Sequence, residues 1–335
     1  MKLEHLIFAL AALSSTGAVA QDTPAWRDPS PHRAQFVTVS DGVQLEVLDW
    51  GGTGRPLVFL AGYLTAHAYD DLAPKLTDVA HVYGITRRGL GASSKPSSGY
   101  TARESAEDVL HVLDALKLER PVLAGHSFGG QDLNVLGAIH PGRMAGLVYL
   151  NSAEDTSLVF LTGNITPADA NQLPKALVSE RQPDMRSFNA YREWQKKAYG
   201  MAFPEAELRQ SYATNQDGTL GTYLVSKAVR DAMFAGLEKP DYARFRAPVL
   251  AFFALPSPLE DQMRKYKPEN AEQGAALGLK YRLDVEWVER NEDALKRSVP
   301  DALVVDLTGA NTYVFLSNEA DVLRELRAFL VQLSR

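Results

Sequence analysis

Short apolar runs alternate along the chain with segments that carry apolar residues at helical spacing. Runs of about four to eight apolar residues fit buried strands, and a period near 3.6 residues fits helices that pack on one face. Predicted strands lie at residues 36–39, 43–50, 57–60, 81–85, 122–124, 147–150, 249–253 and 302–305. Predicted helices lie at residues 66–76, 105–116, 129–139, around 269–296 and from 318 onward. Because strands and helices alternate, we expect an α/β fold whose mostly parallel, doubly wound sheet is covered on both faces.

The alternation is interrupted by one long segment. Residues 156–245 carry several prolines, polar helical stretches and many tyrosines and phenylalanines. We interpret this segment as a helical cap, inserted between a first core part at residues 36–155 and a second core part at residues 246–335. Residues 21–35 contain three prolines and no periodicity, so they predict an extended lead-in.

The first twenty residues have the pattern of a secretory signal peptide. Lys2 precedes a short apolar stretch, and Ala18-Val19-Ala20 has the small-x-small pattern that a signal peptidase cleaves. Cleavage would leave Gln21 as the first residue of an exported protein, periplasmic or secreted. The alternative is a buried N-terminal helix. Since no later stretch reaches about 18 apolar residues, we expect no membrane contact after cleavage.

Composition removes several classes of function. The 335 residues carry a net charge of −6 and no dense basic block, which argues against nucleic-acid binding. The chain has no cysteine, which excludes disulfides, thiolate zinc sites, iron–sulfur clusters and cysteine nucleophiles. Any nucleophile is therefore an oxygen or a nitrogen.

One short motif points to chemistry. Gly125-His126-Ser127-Phe128-Gly129 has the form G-x-S-x-G, with a predicted strand directly before it and a predicted helix directly after it. In that setting the serine lies on a tight strand-to-helix turn, and its hydroxyl is exposed at the edge of the sheet. The alternative is a structural Gly/Ser turn without chemistry.

From residue 36 to residue 333 the chain resembles the α/β-hydrolase family. The resemblance implies that Ser127 is the nucleophile and that the backbone N–H groups of Tyr63 and Phe128 form the oxyanion hole. Tyr63 follows Ala61-Gly62, where the family usually has His-Gly. The stretch Thr86–Ser93 is similar to a loop that is structural in the family, with Thr86 in place of the usual aspartate.

The chain departs from the family where a base is needed. Its seven histidines are at positions 5, 32, 67, 81, 111, 126 and 140, so none follows the last strand, where the family carries its catalytic histidine. Thr312 stands in that place, and a threonine cannot carry the proton at neutral pH. His67, close to the oxyanion loop, is the candidate replacement. We expect His126 to point away from the serine and His140 to lie on the surface.

The acid is displaced as well. Asp155 is the candidate acid, and Glu154, Glu260 and Asp261 are alternatives. Asn151 occupies the family's alternative acid position, directly after the sixth strand, but an amide does not stabilise the charge of an imidazolium.

These observations leave three interpretations. The first is an exported hydrolase that acts on an ester, lactone or amide bond of a small apolar substrate through Ser127, with a non-standard or missing base. The second is a catalytically degenerate protein that binds a small ligand, and the third is cofactor-independent lyase-type chemistry in the same pocket. No cofactor is expected. No metal is expected either, because no two histidines have i, i+4 spacing with a glutamate. The oligomeric state is left open.

Overall fold

A large twisted sheet forms the centre of the molecule. The computed structural model describes residues 26–155 and 183–333. Its strands are β1 (Arg33–Ser40), β2 (Val43–Gly52), β3 (Pro56–Leu60), β4 (His81–Ile85), β5 (Val122–Gly125), β6 (Gly146–Leu150), β7 (Tyr212–Thr214), β8 (Leu220–Tyr223), β9 (Val249–Leu255) and β10 (Leu303–Thr308). Eight of them pair in the order β1-β2-β4-β3-β5-β6-β9-β10. The β1–β2 and β2–β4 pairs are antiparallel, and the other pairs are parallel.

Helices cover both faces of this sheet. The α-helices of the described ranges are α1 (Ala102–Ala115), α2 (Phe128–Ile139), α3 (Phe188–Tyr199), α4 (Glu205–Ser211), α5 (Lys227–Ala235), α6 (Leu259–Tyr266), α7 (Ala271–Ser298), α8 (Val314–Ser317) and α9 (Glu319–Leu333). One apolar core lies under α1, α2 and α7, and a second core lies on the opposite face under α9. The expectation of a mostly parallel, doubly wound α/β sheet is confirmed.

Two local predictions differ from the structure. The predicted helix at residues 66–76 is instead a pair of short 3-10 turns, Ala66–Tyr69 and Ala73–Leu76. Pro74 explains the break, because proline has no N–H to donate to the carbonyl four residues before it. Helix α6 was not predicted, because its sequence is polar and few of its side chains are buried.

The cap contains strands as well as helices. Of the predicted cap at residues 156–245, the structure describes residues 183–245, which form α3, α4, α5 and the antiparallel hairpin β7–β8. Apolar residues of α3 and α4 pack on Leu64, Tyr313 and Leu316 of the core. Residues 1–25, which include the predicted signal peptide, and residues 156–182 lie outside the described residues. Within the described ranges, no helix is both long enough and apolar enough to cross a bilayer.

Candidate active site

Ser127 lies on a strained turn between β5 and α2. Its backbone has φ +53° and ψ −121°, a conformation that costs energy for any residue with a Cβ. Two glycines make the turn feasible. A Cβ at Gly125 would lie 2.5 Å from the carbonyl oxygen of Gly129, and a Cβ at Gly129 would lie 2.2 Å from that of Leu60. The turn therefore has the geometry that the G-x-S-x-G motif predicts.

The loop after β3 brings a second backbone segment against this turn. A Cβ at Gly62 would lie only 2.7 Å from the Cβ of Ser127 and 2.9 Å from the backbone nitrogen of Phe128. In the part of the chain that the structure describes, the backbone N–H groups of Tyr63 and Phe128 donate to no protein acceptor. Two free donors beside a serine are what an oxyanion hole requires.

Thr312 and Asn151 are in direct contact. The Asn151 side chain donates from Nδ2 to Thr312 Oγ1 at 3.1 Å, and its Oδ1 accepts from the backbone N–H of Ala254 at 2.8 Å. Asn151 itself has φ +54°, directly after β6, and Thr312 lies in the loop between β10 and α8. The position named as the vacant base and the one named as the alternative acid thus form a neutral pair. The hydrogen bond to Thr312 comes from Asn151 and not from Asp155, whose backbone N–H donates to Asn291 Oδ1 on α7.

Among the described residues, no histidine forms a hydrogen bond with Ser127. The contacts of the His126 ring are with the loop after β10 and with α8. Its Nε2 lies 3.2 Å from the carbonyl oxygen of Thr312, and its ring packs against Tyr313 and Phe315. Burial lowers the pKa of His126 to about 4, so the ring is neutral at neutral pH.

The surroundings of His67 argue against the role of base that the sequence suggested for it. Its Nδ1 lies 3.0 Å from Asp70 Oδ2 and 3.1 Å from Asp28 Oδ2, and its Nε2 lies 3.6 Å from Glu46 Oε1. Burial by itself would lower the pKa of His67, but these carboxylates outweigh it and raise the pKa to about 11. Both ring nitrogens face carboxylates, and an imidazolium has no lone pair with which to accept a proton.

Comparisons with known proteins agree with the observed fold. A family model described as alpha/beta hydrolase fold matches residues 55–208, a range that includes Tyr63, Ser127 and Phe128. The chain belongs to the α/β-hydrolase superfamily.

Individual relatives of this α/β-hydrolase match only part of it. The chain is 36% identical over 122 residues to the non-heme chloroperoxidase of Streptomyces lividans, covering 35% of this chain and 44% of the relative. It is 29% identical over 150 residues to the bifunctional esterase/perhydrolase of Acinetobacter calcoaceticus, covering 44% of this chain and 52% of the relative. The chain thus spans about half the length of these relatives, or less. The solved structure of E-2-(acetamidomethylene)succinate hydrolase has a TM-score of 0.60 over 89% of this chain and 99% of its own, at 22% identity, which shows the shared fold.

A cavity of about 520 Å³ lies between the cap and the core loops that carry Tyr63 and Thr312. Its walls include Tyr63 and Thr312 together with a group of aromatic cap and loop residues: Tyr191, Tyr199, Phe203, Tyr212, Tyr223 and Tyr313. The hydroxyl of Tyr223 donates to the carbonyl oxygen of Tyr63 at 3.2 Å, and this hydrogen bond links the cap hairpin β7–β8 to the loop after β3.

Glu207 is a cavity residue that the sequence did not single out. The side chain is buried, and it accepts hydrogen bonds from the backbone N–H of Thr65 at 3.0 Å and from Ser211 Oγ at 2.7 Å. Burial raises the pKa of Glu207 to about 7. In sequence it is one of several acids in a polar helix, so only its burial distinguishes it.

The loop after β4 contacts the elbow, which is the turn at residues 125–129 that carries Ser127. Arg87 donates from Nη2 to the carbonyl oxygen of Phe128 at 2.9 Å and to Asp132 Oδ2 at 2.5 Å. Arg88 forms a bidentate pair with Asp108. Thr86 donates to Glu46 Oε2 at 2.8 Å. These contacts give the loop the structural role that its resemblance implied.

Proposed function

We propose that this chain is an exported α/β-hydrolase that acts through Ser127 on an ester, lactone or amide bond of a small apolar substrate, and that its turnover is slow. The observation that carries the proposal is the convergence of three groups: the strained Ser127 turn and the free N–H groups of Tyr63 and Phe128. These groups place a hydroxyl next to donors that can hold the oxyanion of a tetrahedral intermediate.

The reaction would begin when Ser127 Oγ attacks the substrate carbonyl carbon. The new O–C bond forms as the carbonyl π electrons move onto oxygen, and the N–H groups of Tyr63 and Phe128 stabilise that negative charge. A base normally removes the hydroxyl proton, and such assistance contributes about 10²–10⁴-fold to the rate. Because Thr312 and Asn151 form a neutral pair, water is left to accept the proton, and the attack is slow.

The cavity supports an aromatic or otherwise apolar substrate. Six tyrosines and one phenylalanine line it, and a volume of about 520 Å³ suits a small molecule. The partly matched esterase/perhydrolase of Acinetobacter calcoaceticus supports ester chemistry as the first class to test.

A second candidate function is ligand binding without turnover. The Asn151–Thr312 hydrogen bond favours it, because each side chain satisfies the other and neither can hold an imidazole in place. Under this alternative, the free N–H donors of Tyr63 and Phe128 bind the carbonyl or carboxylate oxygen of a ligand that leaves unchanged.

Hydrolysis of p-nitrophenyl butyrate and labelling by a fluorophosphonate probe separate the two functions. For a slow hydrolase we expect hydrolysis and slow labelling that Ser127→Ala abolishes, whereas the control Ser98→Ala, at an exposed serine, changes neither. Hydrolysis that survives Ser127→Ala would overturn the proposed use of Ser127. Absence of both hydrolysis and labelling, together with calorimetric binding of intact p-nitrophenyl butyrate, would establish the binding function instead.

Export is a separate part of the proposal, supported by the Ala18-Val19-Ala20 pattern. Expression of the full chain in a bacterial host with fractionation should give a periplasmic or secreted protein whose first residue is Gln21. Mass spectrometry that finds an intact Met1 on cytoplasmic protein would refute export.

A further inference from the structure

Four side chains of types that can ligate a metal, two of them buried and two partly buried, meet far along the chain from Ser127. Asp28 and His32 belong to the lead-in before β1, His67 lies in the first 3-10 turn, and Asp70 directly follows that turn. One ligand atom from each of the four lies within 4.8 Å of every other. The side chains of His32, His67 and Asp70 are 8%, 7% and 4% exposed, and that of Asp28 is 21% exposed.

We propose that Asp28, His32, His67 and Asp70 form a site for a divalent transition-metal ion, with Zn²⁺ as its first ligand. In a tetrahedral zinc site with bonds of about 2.0–2.1 Å, neighbouring ligand atoms are about 3.3 Å apart. Here His67 Nδ1 is 3.0 Å from Asp70 Oδ2 and 3.1 Å from Asp28 Oδ2, and His32 Nε2 is 3.8 Å from the same Asp28 oxygen. The spacing therefore fits an ion of this size.

Hydrogen bonding by itself does not satisfy the cluster. Two carboxylate oxygens, one from Asp28 and one from Asp70, approach the same nitrogen of His67, and a single N–H serves only one of them. His67 Nδ1 forms its hydrogen bond with Asp70 Oδ2, and Asp28 Oδ2 is buried without a hydrogen-bond partner. A buried carboxylate oxygen without a hydrogen bond is costly, whereas a metal ion binds both oxygens and both rings together.

The surroundings have the features of a supported metal site. The other ring nitrogen of His67 faces Glu46 at 3.6 Å, in the carboxylate–histidine arrangement that orients metal ligands. Trp50 Nε1 donates to Asp70 Oδ1 at 3.2 Å. Two neutral imidazoles and two aspartates balance a charge of +2. A surface cavity of about 320 Å³, lined by Asp28 and Asp70, provides an entry path.

A bound ion would fasten the lead-in to the core, which is a structural role independent of Ser127 and of the proposed hydrolysis. The test uses the untagged full chain, stripped with EDTA and titrated with ZnSO₄ by calorimetry. We expect one ion per chain with a Kd below about 1 µM, and a thermal midpoint several degrees higher with zinc than with EDTA. Co²⁺ in the same site should give the intense visible absorption of tetrahedral coordination.

Two variants remove single ligands from the exposed side of the cluster. Asp28→Asn and His32→Gln should each weaken zinc binding by about 10–100-fold or more and abolish the Co²⁺ spectrum. The matched control is His81→Gln, since His81 pairs with one carboxylate only, Asp49 at 2.8 Å, and should bind zinc like the wild type. Wild-type binding weaker than about 100 µM, or equal binding by both ligand variants, would overturn the proposal and assign the cluster to imidazolium–carboxylate pairing.

Discussion

The contact between Asn151 and Thr312 allows a proton relay to be rebuilt beside Ser127. The Oδ1 of Asn151 accepts the backbone N–H of Ala254 at 2.8 Å, so the amide nitrogen is the group that faces Thr312, at 3.1 Å. Asn151→Asp keeps the first hydrogen bond and presents an acceptor oxygen to position 312 in place of a donor. Thr312→His then puts an imidazole between that oxygen and the serine.

The two substitutions should act together and not additively. In Thr312→His alone, the Asn151 amide donates to the nearer ring nitrogen and leaves the N–H directed toward Ser127, which is the wrong tautomer for a base. We therefore expect only about a 10-fold gain in kcat/KM from Thr312→His, and less than about 2-fold from Asn151→Asp. The double variant selects the useful tautomer and stabilises the imidazolium, so a gain of about 10²–10⁴-fold is expected.

The measurement is kcat/KM for p-nitrophenyl butyrate near neutral pH, for the wild type, both single variants and the double variant. The double variant combined with Ser127→Ala is the control, and it should lose the whole gain. Circular dichroism and thermal melting establish that each variant is folded. A folded double variant that hydrolyses the ester no faster than the wild type would refute the assignment of positions 151 and 312 to the acid and the base.

Three further predictions concern stability and are measured by urea denaturation. Gly62→Ala should cost about 1–3 kcal/mol because its Cβ would lie 2.4 Å from a backbone carbonyl oxygen of the elbow, whereas Gly142→Ala meets nothing within 4 Å and serves as the control. Arg87→Ala should cost about 3–5 kcal/mol since it leaves a buried carboxylate without its cation, whereas Arg143→Ala, at an exposed ion pair, should cost under about 1 kcal/mol. Burial raises the pKa of Glu207 from its ordinary value of 4.5 to about 7. The folded state therefore holds this proton more tightly than the unfolded state, and protonation stabilises the fold. The stabilisation is complete below pH 4.5 and is lost as the pH rises through 7. The free energy of unfolding of the wild type relative to Glu207→Gln should therefore fall by up to about 1.4 kcal/mol per pH unit in that window; a flat difference would contradict the raised pKa.

Local signals in the sequence were enough for most of the core. Continuous apolar runs gave strands β3, β5, β6 and β9 close to their observed positions, because strands buried on both faces of a parallel sheet need apolar residues at every position. Asp41-Gly42, a residue pair typical of tight hairpin turns, lies between the predicted strands at residues 36–39 and 43–50 and forms the β1–β2 turn, where Gly42 has φ +71°. The G-x-S-x-G spacing located the elbow because only glycine tolerates the close backbone contacts on either side of Ser127.

The absence of a histidine after residue 140 was also readable from the sequence. Resemblance to the family then indicated positions 151 and 312, and the fold brings their side chains into contact. The order of residues along the chain does not predict that contact. The contact joins the segments that follow β6 and β10, two strands that are separated in the sheet by β9.

Tertiary structure decided the rest, because burial and pairing depend on which segments the fold brings together. The sequence offered His67 as a base, yet the lead-in and the first 3-10 turn surround it with carboxylates. The pair His32 and Asp70 is separated by 38 positions, so no spacing rule detects the cluster that they form. Glu207 is an ordinary acid in its helix until packing against Thr65 buries it and raises its pKa. A motif predicts the local backbone geometry. The protonation state of a side chain depends instead on its neighbours, which only the folded chain supplies.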